Sequence, residues 1–319
     1  MSIKIFLKVT SITAFVMVGF LSTAQELPLD LRGVYKTKPN SKLSDEFNGN
    51  RANKSFDTDK WHFRRSTKTG LGQGKEFVQE KDGKLICYGI KDKRKAGAIV
   101  SNNYFQYGWY VFKWRTTGID ENKRNAWHPS FWGSWDDTRK NWVPETSGKG
   151  DSWMEIDIME FSTHSKVSTD WSSDSPAYIW VDSLSQRVKV NVKPGPSFGW
   201  NKAIMIDGKT DKYKGEVIGT KGHDKWQILG MEYNPDYLQM WKKDGEQWVK
   251  IGNKVTFTNN GEIPSLRTVP KKAVKPLYWY IGNLFMPHGK TEIQEDQITN
   301  STLEVDWFHF YPLKKNSKH

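Results

Sequence analysis

Trp153-Met154-Glu155-Ile156-Asp157-Ile158-Met159-Glu160-Phe161 is the stretch whose reading decides the fold. Carboxylates alternate with Ile and Met, and period-two alternation predicts a strand with one buried face. The apolar residues then face a core, and Glu155 and Asp157 share the other side. Glu160 lies an odd number of residues from both, so a regular strand would send it inward. A one-residue β-bulge near Ile158-Met159 would return it to the acidic face. Two glutamates about four residues apart start roughly 13 Å apart at Cα. Leaning side chains can close that to about 5–5.5 Å, the carboxyl separation that a retaining glycosidase uses. An exposed acidic strand is the plainer alternative. Mutual repulsion among three crowded acids argues against it and pushes their pKa values apart.

The 319-residue chain has a modest hydrophobic fraction, 36%, but 14% aromatics and 16 Trp. Much of its apolar surface is therefore ring surface, suited to a core or to stacking on sugar faces. At the N-terminus, Lys4 and Lys8 precede an apolar run from Val9 to Leu21, and Ser22-Thr23-Ala24 follows. That pattern predicts a secretory signal, residues 1–24, removed before Gln25. The single cysteine, Cys87, allows no internal disulfide and reads as an inert buried thiol in a strand. Formal net charge is +12, which suits an anionic partner or simple solubility.

Outside the central stretch, turn residues divide short alternating runs. Lys81-Asp82-Gly83-Lys84 predicts a tight hairpin. Strands are expected at Ala98 to Val100, Tyr107 to Arg115, Pro129 to Trp132, Ala177 to Val181, Gln186 to Val192 and Pro276 to Leu284. Two more flank Asn234-Pro235-Asp236, and Leu303 to Tyr311 closes the chain. Residues 133–153 read as a loop in which Trp135 and Trp142 are candidates for a cleft wall, as is Trp153 at its end. His164 lies close enough behind Glu160 to line the same groove. No nucleophile elbow, phosphate loop, HExxH or Cys/His metal set is present. Long amphipathic helices are absent too. The expected architecture is all-β, a jelly-roll sandwich of two curved antiparallel sheets whose concave face forms an open cleft.

The Glu155-Ile-Asp157-Ile-Met-Glu160 hexapeptide resembles the bulged ExDxxE signature of glycoside hydrolase family 16. Three further stretches are similar to that family. These are Ser44-Asp-Glu-Phe-Asn-Gly49 with Asp59-Lys-Trp61, the run from Trp226 through Gly230, Glu232 and Pro235-Asp236 to Asp244-Gly245, and Glu304-Val-Asp306-Trp-Phe308. The resemblance spans roughly residues 43–311. It implies a catalytic domain over 43–312, preceded by an extension over 25–42 and followed by a short tail, 313–319. It also implies a retaining endo-hydrolase, with Glu155 as nucleophile, Glu160 as acid/base, Asp157 beside Glu155 tuning proton sharing, and Trp132 stacking a sugar ring. Catalysis would need no cofactor, and Asp306 would help to bind a structural Ca²⁺.

The expected partner is a polysaccharide, with neither nucleic acid nor membrane bound, and the expected state is a secreted or periplasmic monomer. Surplus positive charge favours a red-algal galactan, sulfated or not: porphyran, carrageenan or agar. A β-1,3-glucanase and a non-catalytic lectin on the same fold are the alternatives.

Overall fold

The computed structural model describes residues 26–49, 55–64, 71–72, 74–119, 126–136, 153–160, 178–182, 188–191, 205–206, 209–210, 224–258, 268–271, 274–285 and 298–315. Two large sheets account for more than half of them. The first comprises, in spatial order, β1 (Trp61–Phe63), β5 (Ala98–Ser101), β17 (Tyr278–Phe285), β7 (Trp127–Asp136), β8 (Trp153–Glu160), β9 (Tyr178–Asp182) and β10 (Val188–Asn191). The second comprises β16 (Thr268–Pro270), β15 (Gln247–Thr258), β14 (Tyr237–Asp244), β13 (Gln227–Tyr233), β6 (Gly108–Thr117), β18 (Ser301–Pro312), β3 (Lys84–Ile90) and β2 (Val78–Lys81), with β4 (Lys95–Ala96) beside β3. β11 (Met205–Ile206) and β12 (Lys209–Thr210) form a further pair. Every pairing within the large sheets is antiparallel except β15 with β16. The expected all-β jelly-roll sandwich is what the chain forms.

Local chemistry explains the corners. At the β2–β3 hairpin, Asp82 and Gly83 both take positive φ, 53° and 72°, with Lys81 paired to Lys84. Only residues that tolerate the left-handed region fit such a turn, as the Asp-Gly pair does. The Asn234-Pro235-Asp236 corner joins β13 to β14, and Asn234 Oδ1 accepts from the Asp236 amide. One reading needs correction. Strand β7 runs on to Asp136, so the segment after Gly133 begins as strand rather than loop. The small residues Gly133 and Ser134 still pair with Trp279 and Tyr278 there.

The core lies between the sheets. Inward residues of β6 and β18 (Tyr110, Phe112, Trp114, Phe308 and Phe310) meet Ile99, Phe131, Ile156, Ile158, Met159, Trp279 and Ile281 from the other sheet. Their rings interlock edge to face: Phe112 and Phe131 are 4.4 Å apart, and Phe131 and Phe308 are 5.0 Å apart. Cys87 is fully buried, and burial pushes its thiol far above the usual range.

The extension at residues 26–42 is ordered. Leu27, Leu31 and Tyr35 cover Trp109, Val111, Trp241 and Tyr311 on the outer face of the nine-stranded sheet. Backbone bonds then tie Lys36, Asn40 and Asp45 to the carbonyls of Pro312, Phe310 and Phe308. That covers the part of β18 which has outrun β3, an edge that would otherwise be open to pairing. Glu232, buried under this segment, accepts from Tyr35 (3.3 Å), Tyr237 (2.7 Å) and Trp241 Nε1 (2.8 Å). His309 sits between Glu26 and Glu46, with Nε2 2.6 Å from Glu46 Oε1, and Tyr311 donates to Glu26 at 2.8 Å.

Candidate active site on the seven-stranded sheet

The pairing of β7 with β8 slips by one residue. Phe131 opposes Met159 and Trp132 opposes Asp157, leaving Ile158 without a partner. Ile156, Ile158 and Met159 are all fully buried, and two adjacent residues can both point inward only where a bulge breaks alternation. With the core side so occupied, positions 155 and 157 belong to the outer face, and the extra residue carries position 160 there as well. Glu155, Asp157 and Glu160 are located by backbone alone.

Cross-strand register extends each acidic position into a rung. The first rung is Tyr278, Ser134, Glu155, Trp180 and Lys189. The second is His62, Val100, Tyr280, Trp132 and Asp157. The third is Ala98, Gly282, Ser130 and Glu160.

Trp132 therefore fronts the acidic strand, but not as a free platform. Its ring stacks on Tyr280 at 3.9 Å and 5°, and the Arg64 guanidinium lies 4.9 Å from its centroid and 5.4 Å from that of Tyr280. Only 7% of Trp132 is exposed. Tyr280 covers one face of Trp132, and Arg64 borders the rim of the pair rather than the other face. Open ring surface stands beside it instead. Tyr278 is half-buried, and Tyr104, 53% exposed, packs edge-on against it at 5.6 Å.

The other candidates distribute as follows. Trp153 shares the parity of Glu155 and pairs with Asp136, whereas Trp135 shares the parity of Phe131 and falls on the opposite face. Trp142, His164 and the signal segment 1–24 lie outside the described residues. Asp306 is not in a calcium-like cluster. Its carboxylate is 2.7 Å from Lys113 Nζ, and among the described residues no group of three His, Cys, Asp or Glu side chains comes together to hold a metal.

Arg64, Tyr278, Tyr280, Ser130, Ser134 and Trp180 join the site without having been singled out as site residues in the sequence. Their signal was there in part. Alternation along Ser130-Phe131-Trp132-Gly133-Ser134 and along Tyr278-Trp279-Tyr280 puts a polar or ring-bearing residue at every second place.

Fold and site together define a jelly-roll sandwich bearing a bulged row of acidic positions beside an aromatic and basic cluster. No protein-family model and no curated protein matches the sequence. Among solved structures the chain is similar to the β-porphyranase of the human gut bacterium Bacteroides plebeius, with TM-score 0.53 and 17% identity over 93% of this chain and 98% of that one. It is similar also to the laminarinase catalytic domain of Thermotoga maritima, with TM-score 0.52 and 12% identity over 86% and 98%. A third likeness is to an immunostimulatory antigen and pseudo β-1,3-glucanase of Mycobacterium tuberculosis, with TM-score 0.50 and 15% identity over 85% and 98%. At such identities what is shared is the fold.

Proposed function

We propose that this chain is a secreted, endo-acting, retaining glycoside hydrolase of the family 16 kind that cuts internal β-linkages of a red-algal galactan. The one-residue slip at Ile158 carries the proposal. It supports a common face for three acidic positions, which the chemistry requires and a plain strand would deny. Glu155 attacks the anomeric carbon as the glycosidic C–O bond breaks, and Glu160 gives its proton to the departing oxygen. Water then adds to the glycosyl-enzyme ester as Glu160 takes a proton from it, freeing Glu155. Asp157, between them, shares in holding the protons, so the three titrate as a set.

Arg64, held on the Trp132–Tyr280 pair, favours a sulfated polymer over a neutral one, since a guanidinium matches a sulfate oxyanion in shape and charge. Likeness to a β-porphyranase and to a laminarinase makes porphyran and laminarin the first polymers to try. The test is reducing-end release from agarose, porphyran, carrageenans, laminarin and lichenan. Activity is expected on a red-algal galactan. Glu155→Gln and Glu160→Gln should each lower turnover by about a thousandfold or more while oligosaccharide binding survives. Full activity in either variant ends the assignment. Binding with no new reducing ends leaves a lectin, and cleavage of laminarin alone leaves a glucanase.

A further inference from the structure

Two groups on the outer face of β7 have no role so far. Ser130 and Ser134 are fully buried, and neither hydroxyl has a hydrogen-bond partner among the described residues, a condition that buried polar side chains rarely keep without a reason. Each is the direct cross-strand neighbour of an acidic position: Ser134 of Glu155, and Ser130 of Glu160. Asp157, between them, faces Trp132 instead. Directly opposed residues hold their Cβ atoms about 4.5–5.5 Å apart, so a glutamate chain can fold back onto a serine hydroxyl. On its other flank Ser130 faces Gly282, which has no side chain to offer. The acidic strand or a ligand can supply the acceptor.

We propose that Ser134 and Ser130 are positioning residues that donate hydrogen bonds to the carboxylates of Glu155 and Glu160, each fixing its own glutamate. The inference rests on the glycosidase reading and deepens it. A hydroxyl donating to a carboxylate favours the ionised form and narrows the directions the carboxylate can take. For Glu155 that means a nucleophile kept charged and aimed. For Glu160 it means a base ready for the second step. Other titratable groups on this face are His128 and Asp136 on β7, Asp157 on β8, Asp182 on β9, Lys189 on β10, Tyr278 and Tyr280 on β17, His62 on β1, and Arg64 just beyond β1. All of them stay in place when the serines are changed.

The experiment titrates side-chain carboxyl carbons by ¹³C NMR in the full chain, with Glu155→Gln and Glu160→Gln supplying the assignments. Ser134→Ala should raise the apparent midpoint of the Glu155 resonance by about one pH unit and move that of Glu160 by clearly less, the two being coupled. Ser130→Ala should do the converse. In parallel, kcat on the active polymer should fall by roughly three- to thirtyfold with KM within about twofold, and Ser134→Thr, which keeps the hydroxyl, should recover it. Unchanged midpoints overturn the pairing. So does a change in KM alone, which would make the hydroxyls substrate ligands. If the parent chain releases no reducing ends, the glycosidase reading fails while the carboxyl titration still decides the pairing.

Discussion

Arg64 shows how much of this site depends on a single side chain. Its guanidinium lies at the rim of the Trp132–Tyr280 stack, 4.9 Å from one ring centroid and 5.4 Å from the other. Lysine carries the same charge but lacks the planar fork that matches a sulfate oxyanion. Arg64→Lys should therefore lower kcat/KM on a sulfated galactan by about tenfold while sparing a desulfated one, and Arg64→Ala should do more. Paired kinetics on the native and desulfated polymer checks this. Equal losses on both would reduce Arg64 to a prop for Trp132. Glu232 is a contrasting residue, buried and far from the acids. It satisfies two tyrosines and a tryptophan, and its neighbourhood raises the Tyr237 hydroxyl pKa, first by burial and then through the hydrogen bond to Glu232. Replacing it with Ala strands those donors. The chain should lose about 2–4 kcal/mol of stability in urea with kcat unchanged.

At the scale of the element, strand β8 works because its register is broken once. Inserting an alanine between Met159 and Glu160 would add one place after the bulge and turn position 160 toward the core of Met231, Phe308 and their neighbours. A carboxylate cannot remain charged there without a partner. The insertion variant should match Glu160→Gln in activity, and its urea midpoint should drop as well. Activity within tenfold of the parent would show that the register of β8 does not set the facing of position 160. Strand β13 carries a different constraint. A Cβ on Gly230 would stand 2.1 Å from the Trp109 ring, so Gly230→Ala should cost about 1–3 kcal/mol through overpacking.

These two strands show what could be read in the sequence. Alternation along one strand is a property of neighbours in sequence, and so the acidic face, the Asp82-Gly83 hairpin and the closing strand were all legible. The bulge was legible because Glu160 broke an otherwise regular pattern. Which strands lie side by side is not a local property. Tyr280 reaches Trp132, and Ser134 reaches Tyr278, across some 150 residues of chain. Nothing in the alternation of either segment says that their rings will stack and close the face of Trp132.

For the whole molecule, the N-terminal segment acts as a latch across the far sheet, and its hold should depend on pH. Burial alone would lower the pKa of His309, but hydrogen bonds and charge attraction from Glu26 and Glu46 outweigh burial and raise it to about 9. In the unfolded chain an imidazole titrates near 6.5. A group whose folded pKa is raised contributes stability that is whole below about pH 6.5 and is lost as pH climbs through about 9. The difference corresponds to roughly 3 kcal/mol. On the acid side, Glu46 is held below the usual carboxylate range, chiefly by its hydrogen bond to His309. That contribution fades as pH falls through its folded pKa. The two limits leave a window of greatest stability from mildly acidic to neutral pH.

His309→Gln keeps a polar side chain between the two glutamates but cannot carry the proton. The urea midpoint of the parent should exceed that of the variant most between about pH 5.5 and 6.5, and the two should converge by about pH 10. Other groups titrate in that range in both proteins, so the difference between them is the quantity to follow. Because the latch covers Trp109 and Tyr311, its release should also appear as a change in tryptophan fluorescence with the same pH midpoint. A parent–variant difference that stays level from pH 6 to 10 would mean that His309 is held by packing, not by its charge.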